Sequence, residues 1–180
     1  MLHLKNITAG NPKTAEQYQM TKQHGITWLF SEDGKNWYEE QKKFASDTIK
    51  MVYTGDGRVV WVGKDVTGIE PRNASVIEVP DITANRRITV PGYWFYRDDK
   101  FVFDYKLKAE DERDALLAQV SIRTSEWEKD LLLGLISDED KEKLKANRIY
   151  AKELQVIDFS AIVDKTAYDN IAWPESPQNI

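Results

Sequence analysis

The sequence predicts an α+β protein: a small antiparallel β domain over residues 1–107, then a C-terminal α-helical hairpin with an extension over 108–180. Three observations carry this. Short runs of β-branched and aromatic residues, punctuated by Asp-Gly and Pro-Gly, fill the first part. After Leu107 the apolar spacing changes from two to three or four. The charge balance changes at the same place: residues 1–108 carry a net +2 and the remainder −7.

The elements follow in order. Residues 14–24 read as a short polar helix, with Thr14 and Gln17 forming a capping box and Gly25 ending it. "ITWLF" (26–30) reads as a strand, "SEDGK" as a turn and "NWYEE" (36–40) as the returning strand. "TIKMVY" (48–53) and "RVVWVG" (58–63) form a second hairpin around Asp56-Gly57. "ASVIEVP" (74–80) is a strand stopped by Pro80, and "RRITV" leads to the Pro91-Gly92 turn.

"GYWFYRDDKFVFDY" (92–105) holds seven of the twenty aromatic residues. Arg97–Lys100 reads as a four-residue turn, and Phe101, Phe103, Tyr105 and Leu107 then share one face and are expected to be buried together. The preceding strand is aromatic on both sides, so Tyr93 and Phe95 must be covered by this chain or by a partner. Asp98, Asp99 and Asp104 cancel Arg97, Lys100 and Lys106, which removes a base-stacking platform from consideration. Core packing or a sugar or protein contact remain, with Tyr93, Phe95 and Arg97 as the candidate contacts.

The helical part starts in "AEDERDALLAQV", whose early carboxylates suit a helix N-terminus. Leu116, Val120, Trp127, Leu131 and Leu135 mark its stripe, and Gly134 weakens its end. Ser137 with Asp140 caps a second helix, whose stripe is Leu144, Ala151, Leu154 and Ile157 with Tyr150 beside it. The pair either covers its own seam or self-associates through it. A last ordered stretch, 167–177, docks Trp173 before Pro174.

Little here suggests catalysis. There is no cysteine, and His3 and His24 are the only histidines. No phosphate-binding glycine motif occurs. "SDEDKE" and "SEDGKNWYEE" lack the glycine and glutamate positions of a calcium loop. Glu39 and Glu40 are adjacent, so on a strand they point apart. Met1–Gly10 has no apolar core of signal-peptide length and no apolar run approaches the ~20 residues that span a bilayer, so a soluble chain made in a cytoplasm is expected, with no metal, cofactor, nucleic acid or membrane insertion.

"HLKNITAGNPKTAEQYQMTKQHGITWLFSEDGKNWYEEQKKF" (3–44), "VIEVPDITANRR" (76–87), "GYWFYRDDKFVFDYKLKAEDERDALLAQV" (92–120) and "IAWPESP" (171–177), taken in this order, resemble the bacteriophage tail fibre assembly proteins of Mu-like and P2-like phages. One departure lies at "LKANRIYAKEL", where many such proteins carry an aromatic near Asn147. The resemblance implies a non-enzymatic chaperone. It would bind the C-terminal, receptor-binding end of the trimeric tail fibre through its N-terminal domain during assembly in the host cytoplasm. Some relatives stay on the virion fibre tip. Aromatic density and the resemblance together single out Tyr18, Trp28, Phe30, Trp37 and Tyr38 as fibre contacts. The alternative is a virion adhesin subunit that itself binds host lipopolysaccharide or another glycan.

Overall fold

Alternating apolar residues and glycine turns build the first of two units, Met1–Phe103, around a five-stranded antiparallel sheet. The computed structural model describes residues 1–177. The strands are β1 (His3–Gly10), β2 (Trp28–Phe30), β3 (Ile49–Thr54), β4 (Val59–Gly63) and β5 (Ala74–Val79), in the order β2-β1-β5-β3-β4. β1 escapes prediction because its alternation is broken. Leu4 and Ile7 both reach the core because a register shift lies between them, where Asn6 takes a φ of 47°.

Both faces of the sheet are covered. Leu4, Ile7, Val52 and Val76 pack with Leu29, Trp37 and Val66 in one cluster. Ile49, Met51 and Val79 pack with Val59, Ile88 and Trp94 in the other. Each fully buried side chain of this size contributes about 1.5–3 kcal/mol. Between them, the buried pair Lys50 and Glu78 ties down loops. The Glu78 carboxylate accepts from the N–H groups of Leu2 (2.9 Å) and Ala45 (2.7 Å) and from the Thr48 hydroxyl (2.7 Å). The Lys50 ammonium donates to the carbonyls of Ala45, Thr48 and Lys64.

Helix α1 (Ala15–His24) forms as predicted: Thr14 accepts from Gln17 N–H, and Gly25 closes it at a φ of 65°. The predicted returning strand 36–40 is instead a helical turn, α2 (Trp37–Glu40). The Asp33-Gly34 turn does form, but pairing stops at one Phe30–Asn36 bridge. Asn36 Oδ1 accepts from Tyr38 N–H (2.9 Å) and starts the helix, which carries Trp37 into the core at 0% exposure. A second short helix, α3 (Thr83–Arg86), follows β5.

β6 (Trp94–Arg97) and β7 (Lys100–Phe103) make the predicted hairpin. Its loop has two residues rather than four. Asp98 and Asp99 have φ values of 50° and 57°, the primed turn that matches strand twist. Trp94 and Phe95 are both buried, so this chain covers the doubly aromatic strand itself. The expected continuous face Phe101–Phe103–Tyr105–Leu107 does not form. Phe101 and Phe103 are half-buried against the second cluster, and the chain turns helical at Tyr105. Asp104 caps that helix by accepting from Leu107 N–H (2.9 Å), a local bond that ends the strand.

The second unit begins at Asp104. Helices α4 (Tyr105–Leu133) and α5 (Asp138–Gln155) form the hairpin, and α6 (Lys165–Asp169) is a short addition. Gly134 ends α4 at a φ of 71°, and Ser137 caps α5 by accepting from Asp140 N–H. Val120, Tyr150 and Leu154 form the seam, with Leu116, Leu117, Ala151, Ile157 and Trp173 around it. The predicted α4 stripe does not reach its end. Leu131 and Leu135 are 49% and 73% exposed, since the chain turns there toward α5. Trp173 docks on Phe159 as expected (ring centroids 5.7 Å apart).

Candidate functional site

α1, β2 and α2 shape a groove of about 500 Å³ lined by Met20, Ile26, Thr27, Trp28 and Tyr38, with Glu70 and Arg72 at its rim. Each wall has a local cause. Gly25 ends α1 and leaves Met20 and Ile26 on either side of the turn. β2 alternates, so Leu29 enters the core while Trp28 and Phe30 face the other way. The Trp28 indole N–H donates to Gln17 O (3.1 Å) and Thr21 Oγ1 (2.8 Å), which fixes its ring under α1. Tyr38 meets that ring edge-on (5.7 Å), and its hydroxyl donates to Thr27 O (2.9 Å). Burial, with the charge of Glu70, pushes the Tyr38 hydroxyl above its ordinary range against the opposing charge of Arg72. Tyr38 thus stays a donor, and Glu70 is paired with Arg72 at 2.6 Å. The groove is equipped to seat an apolar side chain against an aromatic wall beside a small ion pair.

Of the predicted contacts, Tyr38 lines this groove as a half-buried wall, and Trp28, only 8% exposed, lines it from beneath. Tyr18 is 58% exposed on α1. Phe30 is buried beneath Lys13, whose ammonium lies 4.0 Å from the ring centroid and donates to Gly34 O. Trp37 presents no surface and packs edge-on against Phe44 inside the core, which corrects its assignment as a contact. Met20 and Ile26 could have been read from their places beside Gly25. Glu70 and Arg72 could not, because only the fold brings the loop after β4 to this groove.

Tyr93, Phe95 and Arg97 form no open aromatic face. Phe95 is 3% exposed, with the guanidinium groups of Arg97 and Arg58 over its ring at 4.1 and 5.6 Å. Tyr93 meets Phe103 edge-on. The opposite side of the strand lines a pocket of about 300 Å³ in which Trp94, Tyr96 and Phe101 meet Asn85, Arg87 and Asp99. Among the described residues no cluster of His, Asp and Glu is placed to hold a metal, and no helix is long and apolar enough to cross a membrane.

The family model described as Caudovirales tail fibre assembly protein, lambda gpK, matches residues 39–178. The chain belongs to this family. Among its relatives is "Tail fiber assembly protein U'" of Escherichia phage Mu, 47% identical over 184 aligned positions that cover 99% of this chain and 100% of the relative. The protein of the same description from Escherichia phage P1 is 46% identical, and a "Probable tail fiber assembly protein" of Escherichia phage P2 is 40% identical, both over the same shares. The family match starts at Glu39, so it includes Glu70 and Arg72 of the groove but not Met20–Tyr38. The three relatives span both.

Proposed function

We propose that this chain is a non-catalytic chaperone of tail fibre assembly that holds the C-terminal, receptor-binding end of the fibre. The contact is made through the groove at Trp28 and Tyr38, with Tyr18 beside it. Full-length similarity to tail fibre assembly proteins carries the role. The groove supports the seat, because aromatic walls bury large area at low entropic cost. The chain works in the host cytoplasm while the fibre folds, and then stays at the fibre tip. Co-expression with the C-terminal region of the adjacent fibre gene product, followed by sizing, tests the role; no complex overturns it. Tyr38→Ala opens one groove wall and should weaken the complex at least tenfold, about 1.4 kcal/mol, with the fold retained. Unchanged affinity removes the groove as the seat.

One observation favours a second role as a glycan-binding adhesin. The pocket at Trp94, Tyr96 and Phe101 combines aromatic rings with Asn85, Arg87 and Asp99, the mixture that saccharides require. Purified protein without fibre would then pull down on host lipopolysaccharide, and Trp94 variants would not.

A further inference from the structure

β4 leaves one edge of the five-stranded sheet open, and we infer that this edge accepts an extended strand of the tail fibre chain as a sixth strand. This presupposes the fibre assembly role proposed above and adds a second contact to it. β4 reads Val-Val-Trp-Val-Gly, without the charge or proline by which natural edge strands refuse partners. Its inner side pairs with β3 through Val52–Trp61, Met51–Val62 and Lys50–Gly63. On its outer side, the hairpin covers only the beginning, by an Arg58–Phe95 bridge and a bond from Tyr96 N–H to Gly57 O (2.7 Å). Beyond that point no described strand pairs with it. Val60 is the extra residue of a register shift and is 45% exposed.

Each face of the sheet offers a pocket at the C-terminal end of β4, where both are lined by Lys64. On the face of Ile49 and Val62, an open pocket of about 420 Å³ is rimmed by Lys64, Asp81 and Arg86. On the other face, Phe44, Lys50, Val66 and Thr67 line one of about 310 Å³. Successive side chains of an added strand point to opposite faces, so two neighbouring residues would enter one pocket each. Main-chain bonds along the edge then supply affinity, and the two pockets supply selection.

A second copy of this chain fits poorly. In β4-to-β4 pairing beyond the hairpin, the side chains available are Val60, Trp61, Val62 and Gly63, of which only Val60 is exposed. Trp61 is folded against its own sheet so closely that a Cβ on Gly63 would lie 2.5 Å from its ring. Val62 belongs to the second cluster, and Gly63 has no side chain. A copy therefore offers one free side chain, Val60, and at least one of the two pockets would stay empty. β4 and β2 are opposite edges of the sheet, roughly 20 Å apart, so the strand comes from a different fibre segment than the one in the groove.

Hydrogen–deuterium exchange on the full chain, alone and in complex with the fibre C-terminal region, tests this. Amides in 60–64 should exchange at least tenfold more slowly in the complex, and they should do so in the Tyr38→Ala variant wherever complex persists. Val60→Lys places a charge on the exposed edge and should abolish that protection while its melting temperature stays within a few degrees. A complex that forms without protection at 60–64 overturns the strand-accepting edge and leaves the fibre role intact. Absence of any complex overturns both.

Discussion

Trp37 and Tyr38 are neighbours on one helical turn, yet Trp37 is fully enclosed while Tyr38 walls the groove. A helical step of about 100° separates their directions, which a strand would have made opposite. The burial is imperfect: among the described residues the Trp37 indole N–H and the Asn36 Nδ2 are enclosed with no bonding partner, each costing about 1–3 kcal/mol. Glu78 shows the reverse, a buried carboxylate with its bonds filled. Burial raises its pKa, but the bonds from Leu2, Thr48 and Ala45 and the charge of Lys50 outweigh that and hold it below the ordinary 4.5. A depressed carboxylate stabilises the fold above its unfolded pKa, and that share is lost as pH falls through the lower folded value. The melting temperature should therefore drop as the medium is acidified below about pH 4.5. Glu78→Gln should lower stability at pH 7 by about 1–3 kcal/mol and flatten that acid limb in thermal scans.

At the scale of elements, two predictions fail for one reason. "NWYEE" alternates well enough for a strand and "FVFDYKL" alternates perfectly, yet both turn helical where an Asn or Asp side chain caps the next amides. Asn36 and Asp104 are visible in the sequence. Whether they cap depends on partners for the preceding strand, and β2 pairs with β1 instead. In the helical hairpin, the departure at Asn147 acquires a reason. Its side chain is buried in the α4–α5 seam, where Oδ1 accepts from Arg123 Nη1 (3.2 Å) and Nδ2 donates to Lys143 O (2.9 Å). Arg123→Ala would leave that oxygen unpaired and should cost about 1–3 kcal/mol in urea unfolding. Adding Asn147→Leu should recover at least half of the loss, because the orphaned group is removed with its partner. A double variant no more stable than Arg123→Ala would show that the bond contributes nothing.

For the whole molecule, the two units carry different chemistry. The sheet unit holds the groove, both flanking pockets and the open edge, while the helical part holds most of the acidic excess. Function can be separated at this scale by timing. If the chain acts only in assembly, fibres folded in its presence and then stripped of it should keep full adsorption to host cells; an adhesin's removal should abolish adsorption. The α+β class, the turns at Gly25, Asp56-Gly57 and Gly134, the Ser137 cap and the family itself were legible in the sequence, because each depends on local φ/ψ, local hydrogen bonds or residue order. β1, the groove and the β4 edge were not. β1 hides behind a bulge, Glu70 and Arg72 reach Tyr38 only through the fold, and an edge exists only once the other strands have been placed. Local chemistry chose most of the elements; long-range strand pairing decided where a strand gave way to a helical turn and which aromatic residues stayed exposed.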